Sequence, residues 1–358
     1  MNNFKKAILI ILSVVMMSFV FGCGSDGNDG PQRPPDYVPE EIVDPINEWP
    51  EPAPPGSNHS DFTHPNLIWQ DEFNGDTLNT DYWEIQTGTG AHMGLTGWGN
   101  LEQQYYRPDN IRVNNGRLQI IARTDGFGGM PYTSGRIRSA RNFSVRFGRI
   151  EARLRVPIGA GFWPAFWMMP EPVNATTEAG VHGGWPNSGE IDIFEARGRE
   201  PGVATAAIHY NANGPGVSPS NNTHMSFSRP LAMVQPGLTI NDFVTYAVEW
   251  DDLGTDFYGV PDGSVRIRWF INDLMAGAFN MFNVPGTLTN PNAPFDEEFH
   301  LLLNLAIGGN FDGGVRPPTS AFAPAIMEVD WVRVFALPNV ETRYTINGVT
   351  NYRTGIVV

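Results

Sequence analysis

Three acids fall within six residues in Glu190-Ile191-Asp192-Ile193-Phe194-Glu195, and the residues between them are apolar and strand-forming. Carboxylates are rarely buried, and three in such a strand are destabilising unless they serve a purpose. Two carboxyl groups on one surface, one ionised and one holding a proton, are the equipment for hydrolysing a glycosidic bond. Side chains alternate along a strand, so Glu190 and Asp192 share a face and Phe194 follows them. Glu195 stands an odd number of positions from Glu190, so a regular strand aims it the other way. A one-residue β-bulge near Ile193-Phe194 returns it to the face of Glu190, with Asp192 between the two glutamates. Retention of configuration needs a nucleophile and a proton donor roughly 5 Å apart, which long Glu side chains leaning over Asp192 can reach. The crowded negative charge is expected to raise the donor's pKa. A solvated acidic face with ordinary salt bridges is the competing reading of so short a match, and the flanking sequence decides between them.

The elements that must carry these acids read as strands. Arg117–Arg123 follows the turn Asn114-Asn115-Gly116, and Gly148–Val156, Val265–Ile271 and Ile326–Val334 alternate. Repeated short strands with turn signals and no long helical pattern predict an all-β protein, a sandwich of two curved antiparallel sheets with a concave cleft. The 358 residues are 41% hydrophobic with 39 Gly and 30 Pro, enough for a sizeable core in a loop-rich chain. The net charge of −15 argues against nucleic-acid binding, which needs basic surface, and suits a neutral polysaccharide.

Four segments follow one another. Residues 1–23 read as a targeting segment: Lys5 and Lys6, the apolar run Ala7 to Phe21, then Gly22-Cys23. This resembles a bacterial lipoprotein signal, with Cys23 lipidated as the new N-terminus; an ordinary cleaved secretory signal is the alternative. Cys23 is the only cysteine, so the exported domain holds no internal disulfide and no thiolate metal site. Residues 24–62 are rich in proline and acids and read as an extended tether. Residues 63–337 form the expected catalytic domain, and 338–358 an appended tail or final strand. Expected localisation is the bacterial cell envelope through a lipid anchor, or the medium if Cys23 is not lipidated. A monomer is expected.

Several segments in order resemble glycoside hydrolase family 16, and within it the laminarinase-like endo-1,3-β-glucanases. They are Leu67–Gly75, Gly97–Tyr106, Tyr132–Ile137, Phe147–Arg153, Gly161–Met169, Gly184-Trp185-Pro186 and Gly189–Glu195. The resemblance implies a β-jelly roll, with Glu190 as nucleophile, Glu195 as general acid/base and Asp192 as their orienting partner. It implies no cofactor for catalysis, and a structural calcium at positions matching Glu72, Gly116 and Asp330. Phe311 departs from it, standing where a Trp is common.

Other residues complete the expected site. Trp163 and Trp167 lie four apart on one strand; on pattern alone, core and cleft are equally open, and the resemblance favours the cleft. Trp98 sits in a Gly-rich loop, a poor place to bury a large ring, so sugar contact is expected there and at Trp185. Asn100 and Glu102 are candidates for sugar hydroxyls, with a structural role for Glu102 equally open. Arg136 reaches the cleft or pairs with an acid on the sheet. His209 is a core or substrate residue, and the amide of Asn304, between leucines, needs hydrogen-bond partners. The segments Trp98–Tyr106 and Tyr132–Ile137 favour 1,3-β-glucan over the alternative of agar, carrageenan or porphyran. Retention of all three acids argues against a non-catalytic glucan-binding protein.

Overall fold

The computed structural model describes residues 62–174, 177–214, 217–218, 222–255, 262–280, 292–315 and 322–358. Cys23 and the stretch read as a targeting segment and tether, up to residue 61, lie outside the described residues. The regular elements described are strands and single turns of 3-10 helix.

Two large antiparallel sheets take most of these strands, and Gln104–Tyr106 pairs in parallel with Tyr132–Ser134 in a small third sheet. The acid-bearing sheet runs Asn222–Pro230, Val203–Asn211, Glu190–Glu195, Phe162–Pro170, Phe299–Ile307, Phe143–Arg146, Glu341–Ile346, Val349–Thr354. The short strand Arg136–Arg138 also pairs with Phe299–Ile307. The opposing sheet runs Leu274–Asn280, Arg266–Ile271, Val244–Asp251, Gly148–Arg155, Ala325–Phe335, Leu118–Ala122, Ile111–Val113, and Leu67–Asp71 pairs with Ala325–Phe335. This is the all-β sandwich that the alternating pattern predicts.

Period-two alternation packs the interior. Ile150, Ala152 and Leu154 from one sheet meet Phe166, Met168, Leu301, Leu303 and Leu305 from the other in a single apolar core. The outward face of the opposing sheet, by contrast, is a lattice of ion pairs. Arg149 is fully buried there and donates to Glu151 (2.8 Å), Glu249 (3.2 Å) and Asp273 (2.5 Å). Much of the small charged fraction of this chain is spent on that one surface.

Of the two forms expected for the end of the chain, a tail or a final strand, the structure has the strand. Residues 341–354 form a hairpin whose first strand pairs with Phe143–Arg146, so it widens the acid-bearing sheet. Ile356 N–H donates to Asn66 Oδ1 (2.9 Å) and Asn66 Nδ2 donates to Ile356 C=O (2.8 Å), which ties the hairpin to the start of the domain. The alternation of Thr342 and Tyr344 with polar neighbours is too short and too polar to separate a strand from a tail on sequence alone.

Candidate active site

The acid strand carries a one-residue bulge. Against Phe162–Pro170, Phe194 faces Phe166 while the next residue, Trp167, faces Asp192, so Ile193 has no partner. The same skip occurs against Val203–Asn211, between Asp192 and Glu195. The consequence is a clean division of side chains. Ile191, Ile193 and Phe194 all enter the core, where Phe194 packs on Tyr246 of the opposing sheet at 4.1 Å between ring centroids. Glu190, Asp192 and Glu195 lie on the other face. Trp269 pins the strand from below, its indole N–H donating to the Asp192 carbonyl (2.9 Å).

Each acid has its own environment. Glu190 accepts from Trp185 Nε1 (2.7 Å). Asp192 is almost wholly buried and hydrogen-bonds Glu190, which two carboxyls can do only by sharing a proton. Burial first, then the charges of Glu190 and Glu195, push the Asp192 pKa well above its usual range, so the proton sits on Asp192. Glu195 accepts from Trp163 Nε1 (2.8 Å). Its pKa is pushed up to about 7, chiefly by burial and next by Glu190, while the Trp163 bond and the Arg197 charge pull it down. Crowded negative charge is thus a secondary cause, and burial the main one.

Around the acids, the structure brings together most of the expected residues. Trp163, Trp167 and Asn304 share the cleft face of adjacent strands. Trp167 Nε1 donates to Asn304 Oδ1 (2.8 Å), Asn304 Nδ2 to the Tyr106 hydroxyl (3.2 Å), and Tyr106 in turn to Glu102 (2.9 Å). The inward amide therefore has the partners it needs. Glu102 is buried, accepting also from Gln104 (2.6 Å) and from the Asn100 side chain, and burial raises its pKa. Its carboxylate is engaged by these three neighbours, Asn100 among them. Arg136 lies between the rings of Trp98 (4.5 Å) and Trp167 (4.9 Å) and donates to Gln86 (2.5 Å). His209 stands opposite Glu190 on the neighbouring strand, with Trp185 tilted over it at 5.9 Å and His224 stacked beside it at 5.4 Å. Trp185 is 49% exposed and available to a sugar ring.

Trp98 is the correction. Its ring is 5% exposed rather than presented to solvent, packed on Tyr106 and on the Arg136 guanidinium. The glycines around it do not hold the ring out; they let the loop fold back. A Cβ on Gly90 would stand 2.3 Å from the Leu95 carbonyl, so only glycine permits that close approach.

The sequence reading missed Tyr106, Gln104 and Gln86, the buried polar links behind the cleft, because nothing in a lone strand residue signals its bonding partner. It also missed how Phe311 is used. Phe311 stacks on Trp163 at 5.2 Å and lies under Arg197 at 4.1 Å, so it braces the indole that holds Glu195.

The positions implied for calcium are already charge-balanced. Both Glu72 oxygens accept from Arg333 (2.7 and 3.0 Å), and Asp330 pairs with Arg153 (2.5 Å) and Arg117 (3.5 Å). Gly116 turns the chain nearby at φ +67°. A cation there would have to displace guanidinium groups, so this donor set fits it poorly.

Comparison with known proteins agrees with this geometry. The family described as Glycosyl hydrolases family 16 matches residues 100–274. A beta-glucanase of Rhodothermus marinus is 35% identical over 291 residues, covering 78% of this chain and 88% of that protein. The chain belongs to glycoside hydrolase family 16. Another relative, glucan endo-1,3-beta-glucosidase A1 of Niallia circulans, is 38% identical over 285 residues, which is 75% of this chain and only 38% of that longer protein. Among solved structures, the laminarinase catalytic domain from Thermotoga maritima superposes with a TM-score of 0.61 at 28% identity, covering 76% of this chain and 98% of that one.

Proposed function

We propose that this family 16 chain hydrolyses internal 1,3-β-glucosidic bonds of laminarin-type glucans with retention of configuration. The observation that carries the reading is the bulge at Ile193, which sets Glu190, Asp192 and Glu195 on one face. The glucan comes from the names of relatives: the Niallia circulans protein is a glucan endo-1,3-beta-glucosidase and the Thermotoga maritima structure a laminarinase.

The chemistry follows from the environments. Glu190, more open than Asp192 and held by Trp185, attacks the anomeric carbon while Glu195 gives its proton to the departing glycosidic oxygen. The C–O bond breaks and a glycosyl ester forms on Glu190. Glu195, now ionised, takes a proton from water, whose oxygen attacks the anomeric carbon and frees Glu190. Asp192 keeps its proton and donates it to Glu190, which fixes the nucleophile's orientation and eases its departure. The two carboxyls supply nucleophile and acid/base between them, so catalysis needs no cofactor.

Incubation with laminarin, lichenan, curdlan, agarose and carrageenan, with chromatography of the products, tests the reading. Laminarin should yield a ladder of short oligosaccharides, and the galactans nothing. Glu190→Gln should lower kcat at least about 10⁴-fold while binding survives. Turnover of agarose or carrageenan in preference to laminarin would transfer the site to the alternative substrate; binding without turnover would make it a glucan-binding protein.

The same reading places the enzyme, as a monomer, on the cell envelope through a lipid on Cys23, with residues 24–62 as spacer. Cys23→Ser should move it from the membrane fraction to the soluble fraction. A structural calcium at Glu72, Gly116 and Asp330 would compete with Arg333, Arg153 and Arg117, so EGTA is expected to leave the melting temperature unchanged.

A further inference from the structure

We infer that Glu190, Asp192 and His209 form a chelating site for one divalent transition cation, of the Zn²⁺ or Cu²⁺ type, whose binding blocks the nucleophile. The site goes beyond the proposed hydrolysis, which needs no metal, and it is read from the geometry of three side chains.

His209 Nε2 stands 3.6 Å from Asp192 Oδ2 and 4.0 Å from Glu190 Oε1. Both separations are too long for hydrogen bonds. Bonds of about 2.0–2.2 Å at the tetrahedral angle put neighbouring ligand atoms about 3.3–3.6 Å apart, so the Asp192 separation suits a shared cation as it stands and the Glu190 oxygen would close by about 0.4 Å on binding. All three ligand atoms lie within 4.8 Å of one another. A second observation points the same way. Asp192 is 97% shielded (3% exposed), yet its Oδ2 has no hydrogen-bond donor among the described residues and aims at the imidazole. The remaining atoms favour the same orientation. Trp185 occupies Glu190 Oε2 and leaves Oε1 toward His209. The His209 Nδ1 is also without a hydrogen-bond partner among the described residues, so no hydrogen bond turns Nε2 away from the two acids.

Ligand type selects the ion. One imidazole and two carboxylates suit zinc or copper, the cation displacing the Asp192 proton to solvent as it binds. Calcium and magnesium favour oxygen ligands throughout, and the imidazole nitrogen of His209 is a poor match to them. A cation here ties up Glu190, so hydrolysis stops while it is bound. A second group, His182, Asp296 and Glu297, also meets the spacing for a metal, shares no residue with the first and serves as the control.

The test is calorimetric titration of the whole protein with ZnCl₂, alone and as His209→Gln and His182→Gln, alongside hydrolysis assays. Binding at the wild-type site should weaken at least about tenfold in His209→Gln and stay unchanged in His182→Gln. Zinc should inhibit the wild type, and EDTA should restore the original rate. No zinc binding, binding that survives His209→Gln but is lost in His182→Gln, or bound zinc without inhibition would overturn the inference. Should His209→Gln fail to fold, Asp192→Asn takes its place in the titration with the same expected loss. If no glucan proves to be a substrate, the titrations still decide the site, so its failure and that of the proposed function are separable.

Discussion

Glu195 can donate a proton only while it holds one, and its burial against Trp163 sets when that is. With its pKa at about 7, the active fraction falls as pH rises through neutrality, so the alkaline limb of the rate profile should sit near there. Trp163→Phe deletes the N–H that pulls this pKa down, so the limb should move to higher pH; activity should drop about tenfold, because the bond also orients the carboxyl. Profiles of kcat/KM against pH read both effects. The same shift has a stability consequence whose sign is fixed. The folded carboxyl binds its proton more tightly than the unfolded one, so the native state holds more protons between the ordinary value of 4.5 and about 7. Stability should therefore be greatest below that window and decline across it, with Asp192 adding in the same direction. Melting curves from pH 4 to 8 measure this, and Glu195→Gln should flatten the slope.

The acid strand shows how a single extra residue decides function at the scale of an element. Parity alone exposes the need for the bulge, since Glu190 and Glu195 are an odd number apart and only a skipped pairing reconciles them. That made the catalytic face legible before any coordinates. Trp98 was not legible, because its burial depends on loop backbone folding over itself at Gly90 and Gly97, a tertiary event with no periodic signature. Nor was the Glu102–Tyr106–Asn304–Trp167 chain, whose members come from separate strands and a loop. Other elements make their own predictions. Arg149→Met removes the buried cation that Glu151 pairs with at 2.8 Å, while Glu249 keeps Arg268 at 2.7 Å, so the cost should be about 3 kcal/mol by denaturant unfolding. Ending the chain at residue 337 strips the strand that pairs with Phe143–Arg146 and the two bonds to Asn66, and should lower the melting temperature by at least about 5 °C.

For the whole molecule, the two sheets divide the work. The opposing sheet locks its outer face with ion pairs, while the acid-bearing sheet spends its outer face on a row of acids, indoles, an amide and imidazoles. A rigid sandwich beneath, pinned through Trp269 to the acid strand itself, keeps the carboxyls in register through two chemical steps. The account stands on Glu190 and Glu195 working from one face, one as nucleophile and one as acid/base, and that arrangement dictates stereochemistry. Proton NMR of laminarin digestion, recorded before mutarotation, reads it directly. The β-anomer as the first-formed product is the predicted result; the α-anomer first would mean inversion and would contradict the account.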